Sequence, residues 1–148
     1  MTMIIDRTPP SRIADYMSTT IPCVDIDATL KEAGGLLDRW QVPCLLVRNG
    51  PRYVGTVTDA DLSRKAVAKG LDPLNTTVNA CMTKPLVSVD ETEQMSVAIE
   101  LMKEHGLRHL GVTKAENVIG ILSASGAVRY YSEMLPVVQD LAHHQHLE

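Results

Sequence analysis

The sequence predicts an α/β fold of the α+β type, built as two β-α-β-β-α repeats packed about a pseudo-twofold axis. Three observations predict it. The chain repeats itself at a fixed offset: Met17 recurs 65 residues on as Met82, Asp25 as Asp90, Ala33 as Ala98 and Gly55 as Gly120. Conservative matches such as Val24 and Val89, Leu45 and Leu110, Val54 and Ile119, and Thr58 and Ser123 fill the same register without a gap. Within each copy, short apolar runs alternate with a stretch whose apolar residues fall at helical spacing. Two of those runs meet in the first copy at a turn signal, Asn49-Gly50-Pro51, which makes them a hairpin. Two copies are too few for a solenoid. They suffice for a pair that packs face to face and leaves clefts between its halves.

The first copy opens on a short helical turn, 13–17, followed by an extended segment, 22–26. Asp27 is placed to cap a helix whose apolar positions are Leu30, Ala33, Leu36, Leu37 and Trp40. Pro43 ends that pattern. Cys44-Leu45-Leu46-Val47 is short and continuously apolar, as a buried strand is, and 53–57 returns beside it. A helix over 59–68 follows, with Leu62, Ala66 and Val67 on one face. The second copy repeats the order: extended 86–89, a helix over 91–104 with Val97, Ala98, Leu101 and Met102 inward, a strand pair at 107–112 and 118–122, and a last helix over 125–131. The expected organisation is an N-terminal arm (1–11), repeat one (12–70), a connector (71–76), repeat two (77–135) and a tail (136–148), with Pro136 ending the folded sequence.

Composition narrows the function. A chain of 148 residues buries one good core or two small fused ones. The net charge of −4 argues against a nucleic-acid partner. With one Trp and no Phe there is little material for base stacking. No run is long enough to span a membrane, and residues 1–10 carry no apolar signal-peptide core, so a cytoplasmic location is expected. Cys23, Cys44 and Cys81 show no CxxC spacing and read as free thiols. No metal site is expected. The run His143-His144-Gln145-His146 precedes Leu147-Glu148 and reads as an appended tail.

The run Gly55-Thr56-Val57-Thr58-Asp59-Ala60-Asp61-Leu62 resembles the G-x-[apolar]-[T/S]-x-x-D pattern of CBS (cystathionine-β-synthase) domains. Met17-Ser18-Thr19 and Met82-Thr83-Lys84-Pro85 before each first strand support it. Leu107-Arg108-His109-Leu110-Gly111-Val112 is similar to the family's R-H-L-P-V strand, with Gly111 in place of Pro. The resemblance spans roughly residues 12–133 and identifies the chain as a tandem pair, a Bateman module.

That resemblance implies a non-enzymatic sensor that needs no cofactor, binds AMP, ADP or ATP between its copies, and signals to a separate protein. It also implies a homodimer. In the first cleft it places Thr58, Ala60 and Asp61 at the ribose, with Asp61 at the cleft rim. Lys84, Pro85, Leu86 and Val87 would form the adenine slot, with Leu107 at its flank. Arg108 and His109 would face the phosphates, with Arg64 in reach. A carboxylate suits vicinal ribose hydroxyls, and Arg suits phosphate. The second cleft would draw on Thr20, Ile21, Pro22, Cys44 and Ser123, but there Gly126 replaces the acid, and Pro43 and Cys44 replace the basic pair. One tightly bound nucleotide per chain is therefore expected.

The same residues admit other readings. S-adenosylmethionine or NAD would suit the same cleft. A nucleotide hydrolase is disfavoured, since there is no phosphate-cradling glycine loop and no recognisable nucleophile–base pair. A redox or metal sensor would use the cysteines and the terminal histidines. Arg64 stands three residues from Asp61 and is in position to pair with it.

Overall fold

The computed structural model describes residues 12–146, and side chains as far as 135. Each copy is a three-stranded sheet with helices. In the first, β1 (Cys23–Asp25) runs parallel to β2 (Cys44–Asn49), which pairs antiparallel with β3 (Arg52–Thr58). In the second, β4 (Ser88–Asp90), β5 (His109–Lys114) and β6 (Asn117–Ser123) repeat that topology. Even the register shift in the hairpin recurs, after Val47 in one copy and after Val112 in the other. Helices α1 (Leu30–Trp40) and α3 (Met95–His105) make the parallel crossovers. After β3 comes a short α2 (Asp59–Asp61) that continues as a π-helical turn, Leu62–Val67; after β6 comes α4 (Ala124–His146).

The copies are joined by exchanging their lead-in segments. The 3-10 turn Ile13–Asp15 precedes the first sheet, yet Ile13 and Tyr16 pack into the second core with Val89, Met95, Leu110 and Leu122. The turn Val78–Ala80 precedes the second sheet, yet Val78 and Met82 pack into the first core with Val24, Leu45 and Val57. Four isolated β-bridges fasten the exchange: Arg12 to Gln94, Thr77 to Thr29, Ser18 to Ile121 and Thr83 to Thr56. They fall into two pairs of mates related by the repeat offset, which is the pseudo-twofold axis expressed in backbone hydrogen bonds.

Close approach of backbones at the axis explains the repeated glycine. A Cβ on Gly55 would lie 2.4 Å from the Thr83 carbonyl oxygen, and one on Gly120 would lie 2.6 Å from that of Ser18. No side chain fits either place.

Local chemistry moves several boundaries away from the sequence expectation. Asp27 does not cap α1. The Asp25 carboxylate accepts the Asp27 N–H at 2.9 Å, so the chain turns there, and Thr29 caps instead. Thr29 Oγ1 accepts the Glu32 N–H at 3.1 Å while the Glu32 carboxylate accepts the Thr29 N–H at 3.0 Å, a reciprocal capping box. Helix α3 begins at Met95, not 91, because the Asp90 carboxylate holds the Thr92 N–H and hydroxyl in a turn. Val97, which periodicity placed inward, is 39% exposed, and Trp40 and Val67, which share the apolar period of their helices, are 45% and 78% exposed. Pro136 does not end the fold: α4 runs through it, since one missing N–H removes a single rung of the ladder.

Candidate functional site

Two cavities open between the copies. The first, of about 690 Å³, is reached from α2 on one side and the start of β5 on the other. Thr58, Ala60, Asp61 and Arg64 of the first copy meet Leu107, Arg108 and His109 of the second on its walls. Its size lies in the range of small-molecule sites. Lys65 and Thr83 line it as well, and the sequence reading placed neither at the site.

Asp61 is the organising group, and it is buried (7% exposed) instead of standing at a rim. Thr58 caps the helix that Asp61 closes: Thr58 Oγ1 accepts the Asp61 N–H at 3.2 Å, and Asp61 Oδ2 accepts the Thr58 N–H at 3.0 Å and its hydroxyl at 3.2 Å. The other oxygen, Oδ1, accepts the Thr83 hydroxyl at 2.8 Å and pairs with Lys65 Nζ at 2.9 Å. Lys65 Nζ also donates to Thr83 Oγ1 at 3.1 Å. The acid thus selects Lys65, one full turn on, over Arg64. Spacing i,i+4 is the signal that identifies this pair. Thr83 reaches Asp61 only because its lead-in segment crosses to the other copy's sheet.

Lys84, Pro85, Leu86 and Val87 are not among the residues lining this cavity. Their groups are engaged elsewhere. The Leu86 N–H donates to the Val54 carbonyl at 3.1 Å, the Val87 carbonyl accepts the Gly111 N–H at 3.0 Å, and Lys84 Nζ reaches Asn79 Oδ1 at 3.4 Å.

The second cavity, of about 680 Å³, brings together Thr20, Pro22, Cys44 and Ser123; Ile21 does not line it. Gly126 occupies the place of Asp61, and a Cβ there would lie 2.7 Å from the Tyr16 carbonyl oxygen, so the copy has no room for a carboxylate. This cleft does hold a cation, contrary to the sequence expectation. Arg129 is the repeat mate of Arg64. Its guanidinium stacks 5.0 Å from the Tyr16 ring centroid and donates to the Asp15 carbonyl at 3.2 Å. Burial, and then the hydrogen bond that the Tyr16 hydroxyl donates to Glu133 at 2.6 Å, lifts the phenol to about 12.

His109 lines both cavities. Burial, and then the neighbouring Arg108 charge, hold its imidazole below the ordinary 6.5, so it is neutral near pH 7. A folded-state pKa below the unfolded value means that the unfolded chain binds the proton first. Stability is therefore full above about pH 6.5 and falls as pH drops below it. Thermal midpoints across pH 5–8 are expected to show this loss, and His109→Gln to flatten it.

Burial, reinforced by the charges of Asp61 and Asp59, pushes the Cys44 thiol to about 12, which makes it a poor thiolate source. Cys23, Cys44 and Cys81 are all free. No group of three or more His, Cys, Asp or Glu is placed to hold a metal among the described residues, and the side chains of the terminal histidines lie outside them. No described helix is long and apolar enough to cross a membrane.

Comparison with known proteins accounts for this arrangement. The CBS domain model matches twice, over residues 13–68 and 78–133. The CBS domain-containing protein YhcV of Bacillus subtilis is 29% identical over 113 residues, 76% of this chain and 80% of its own. A CBS-domain protein of Burkholderia ambifaria ascribed to signal transduction superposes with a TM-score of 0.72 at 30% identity, covering 75% of this chain and 82% of the other. A hexameric CBS-CP12 protein from bloom-forming cyanobacteria gives 0.75 at 25% identity, covering 86% and 76%. The chain belongs to the CBS-domain family, as a tandem pair that forms a regulatory module.

Proposed function

We propose that this module senses an adenine nucleotide, AMP, ADP or ATP, in the first cleft and transmits the occupied state to a separate regulated protein. The observation that carries the reading is the charge placement. In a chain of net charge −4, Arg64, Lys65 and Arg108 converge on one cavity of about 690 Å³, beside the hydroxyl of Thr58 and the carboxylate of Asp61. Cations from both copies face one space, so a polyanion there pulls on both copies at once. A ligand shifts the arrangement of the copies only through such differential contact. The second cleft, with Gly126 at the acid position and Arg129 already held by Tyr16 and Asp15, is assigned no nucleotide.

Titration calorimetry with AMP, ATP, NAD and S-adenosylmethionine tests the reading and selects among the adenosyl ligands. One saturable site per chain is expected, and two equivalent sites would count against it. Arg108→Ala separates phosphate recognition from the rest. A charge-assisted hydrogen bond is worth about 1.5–3 kcal/mol, so AMP and ATP should weaken by about tenfold or more while adenosine is unaffected. Equal losses for adenosine and AMP would remove Arg108 from the phosphate site.

The same reading assigns a twofold homodimer. Val67 beside α2, and Val128, Tyr131 and Leu135 on α4, are apolar and half or more exposed, on the two segments that follow the hairpins. Sedimentation at micromolar concentration should give the mass of two chains. A monomer would refute the assignment.

A further inference from the structure

We propose that Lys65 is a specificity-determining residue of the first cleft: an internal counter-ion that occupies Asp61 in the free protein and transfers to the ligand's phosphate when a ribose takes its place. This rests on the nucleotide reading above.

The argument begins with acceptor capacity. A carboxylate offers about four lone-pair positions. Those of Asp61 are taken by Lys65 Nζ (2.9 Å), the Thr83 hydroxyl (2.8 Å), the Thr58 N–H (3.0 Å) and the Thr58 hydroxyl (3.2 Å). No position remains for a vicinal diol. The two contacts of Thr58 are local to the helix cap that positions Asp61, so a ribose hydroxyl gains access by displacing one of the other two, both of which sit on Oδ1. Of those, Thr83 is fixed by backbone bonds to Thr56, its N–H to the Thr56 carbonyl at 2.7 Å and its carbonyl to the Thr56 N–H at 2.9 Å. Lys65 is the free end: its side chain is 40% exposed and stands on the wall of the same cavity as Arg64 and Arg108. A flexible ammonium on a four-carbon stem suits a transfer between two anions.

The consequence is a linked requirement. A ligand with a diol and no phosphate breaks the Lys65–Asp61 pair and returns the ammonium to water. A ligand with both replaces one anion by another. Selection against unphosphorylated nucleosides is then built into the free state, besides whatever attraction the phosphate feels. A ligand that displaces Lys65 also loosens the Lys65–Thr83 contact, which spans the two copies.

The test compares adenosine, AMP and 2′-deoxyadenosine by calorimetry on the full chain and on Lys65→Met. An ordinary phosphate-binding lysine and a transferring one give opposite signatures. If Lys65 transfers, Lys65→Met tightens adenosine by about fivefold, the order of a single partly exposed ion pair, and leaves AMP little changed. The AMP-to-adenosine preference then narrows by that factor, and Lys65→Arg restores it. The diol's part is read from 2′-deoxyadenosine, which lacks both the phosphate and the 2′-hydroxyl and should gain less than adenosine from the same substitution. Adenosine unchanged with AMP weakened makes Lys65 a plain phosphate contact and overturns the proposal, as does no change in either. Should the wild-type chain bind neither compound, the nucleotide reading itself fails and this inference falls with it. Lys65→Gln, which keeps a neutral donor to Asp61, serves if Lys65→Met does not fold, with the same expected direction for adenosine.

Discussion

Gly55→Ala is expected to destabilise the fold by about 2–4 kcal/mol, in the upper range of single substitutions. The added methyl would stand 2.4 Å from the Thr83 carbonyl oxygen, which is backbone and cannot rotate away. That carbonyl accepts the Thr56 N–H, and the Thr83 N–H donates to the Thr56 carbonyl, so relief of the clash opens the bridge that holds the second copy's lead-in segment against the first copy's sheet. Val78 and Met82 ride on that segment into the first core, and the cost reaches beyond two hydrogen bonds. For a chain of this size the thermal midpoint should drop by roughly 5–15 °C. Gly35→Ala is the matched control. Gly35 lies in α1 with nothing within 4 Å of its added Cβ, so alanine there should stabilise by about 0.5–1 kcal/mol through helix propensity alone. Opposite signs for the two glycines would locate the effect in the contact between copies. A neutral Gly55→Ala would mean that the bridge contributes little.

Much of this architecture is legible because duplication is a statement about pattern. The offset from Met17 to Met82 fixes two equal units, and the run from Cys44 to Val47 beside a turn signal fixes the hairpin. The exchange of lead-in segments is not legible. Ile13 and Val78 read as apolar residues in either arrangement, whether each packs on its own sheet or on its neighbour's. Only the path of the chain decides between them. The misplaced helix starts have a local cause: Asp25 and Asp90 capture N–H groups just after their strands, and turn chemistry then competes with helix nucleation. Trp40, Val67 and Val97 satisfied the helical period yet stay exposed, because a period counts residues on one helix and says nothing of what lies opposite.

The site divides in the same way. Thr58, Asp61 and Arg108 follow from motif and strand position, and the fold does gather them around one cavity. Which cation holds Asp61 turned on one residue of helical spacing, with Arg64 and Lys65 both in reach on paper. Thr83 as a partner of Asp61 required knowledge of the exchange. The segment from Lys84 to Val87 is placed at the adenine by the resemblance alone; the Leu86 N–H and the Val87 carbonyl are bound to Val54 and Gly111, and other residues line the cavity.

Asp61 is where the stability and the proposed chemistry meet, and paired substitutions there separate them. Asp61→Ala is expected to cost about 2–3 kcal/mol. The Thr58 half of the cap survives, since Thr58 Oγ1 still accepts the N–H of residue 61, but the Thr58 N–H, the Thr58 hydroxyl and the Thr83 hydroxyl lose a charged acceptor in a partly buried setting. Lys65 adds less than a buried orphan charge would, since at 40% exposure it can turn to water. Asp61→Asn retains one carbonyl acceptor for the cap while giving up the ion pair, so its midpoint should fall between alanine and wild type. Affinity should follow a different order. With the amide oxygen kept on the cap, the NH2 that replaces Oδ1 donates and cannot accept from a ribose hydroxyl, so AMP is expected to weaken by about tenfold or more in both variants, although their stabilities differ. Wild-type AMP affinity in Asp61→Asn, with the stability order intact, would leave Asp61 as the structural centre of the cleft and move ribose recognition to another group.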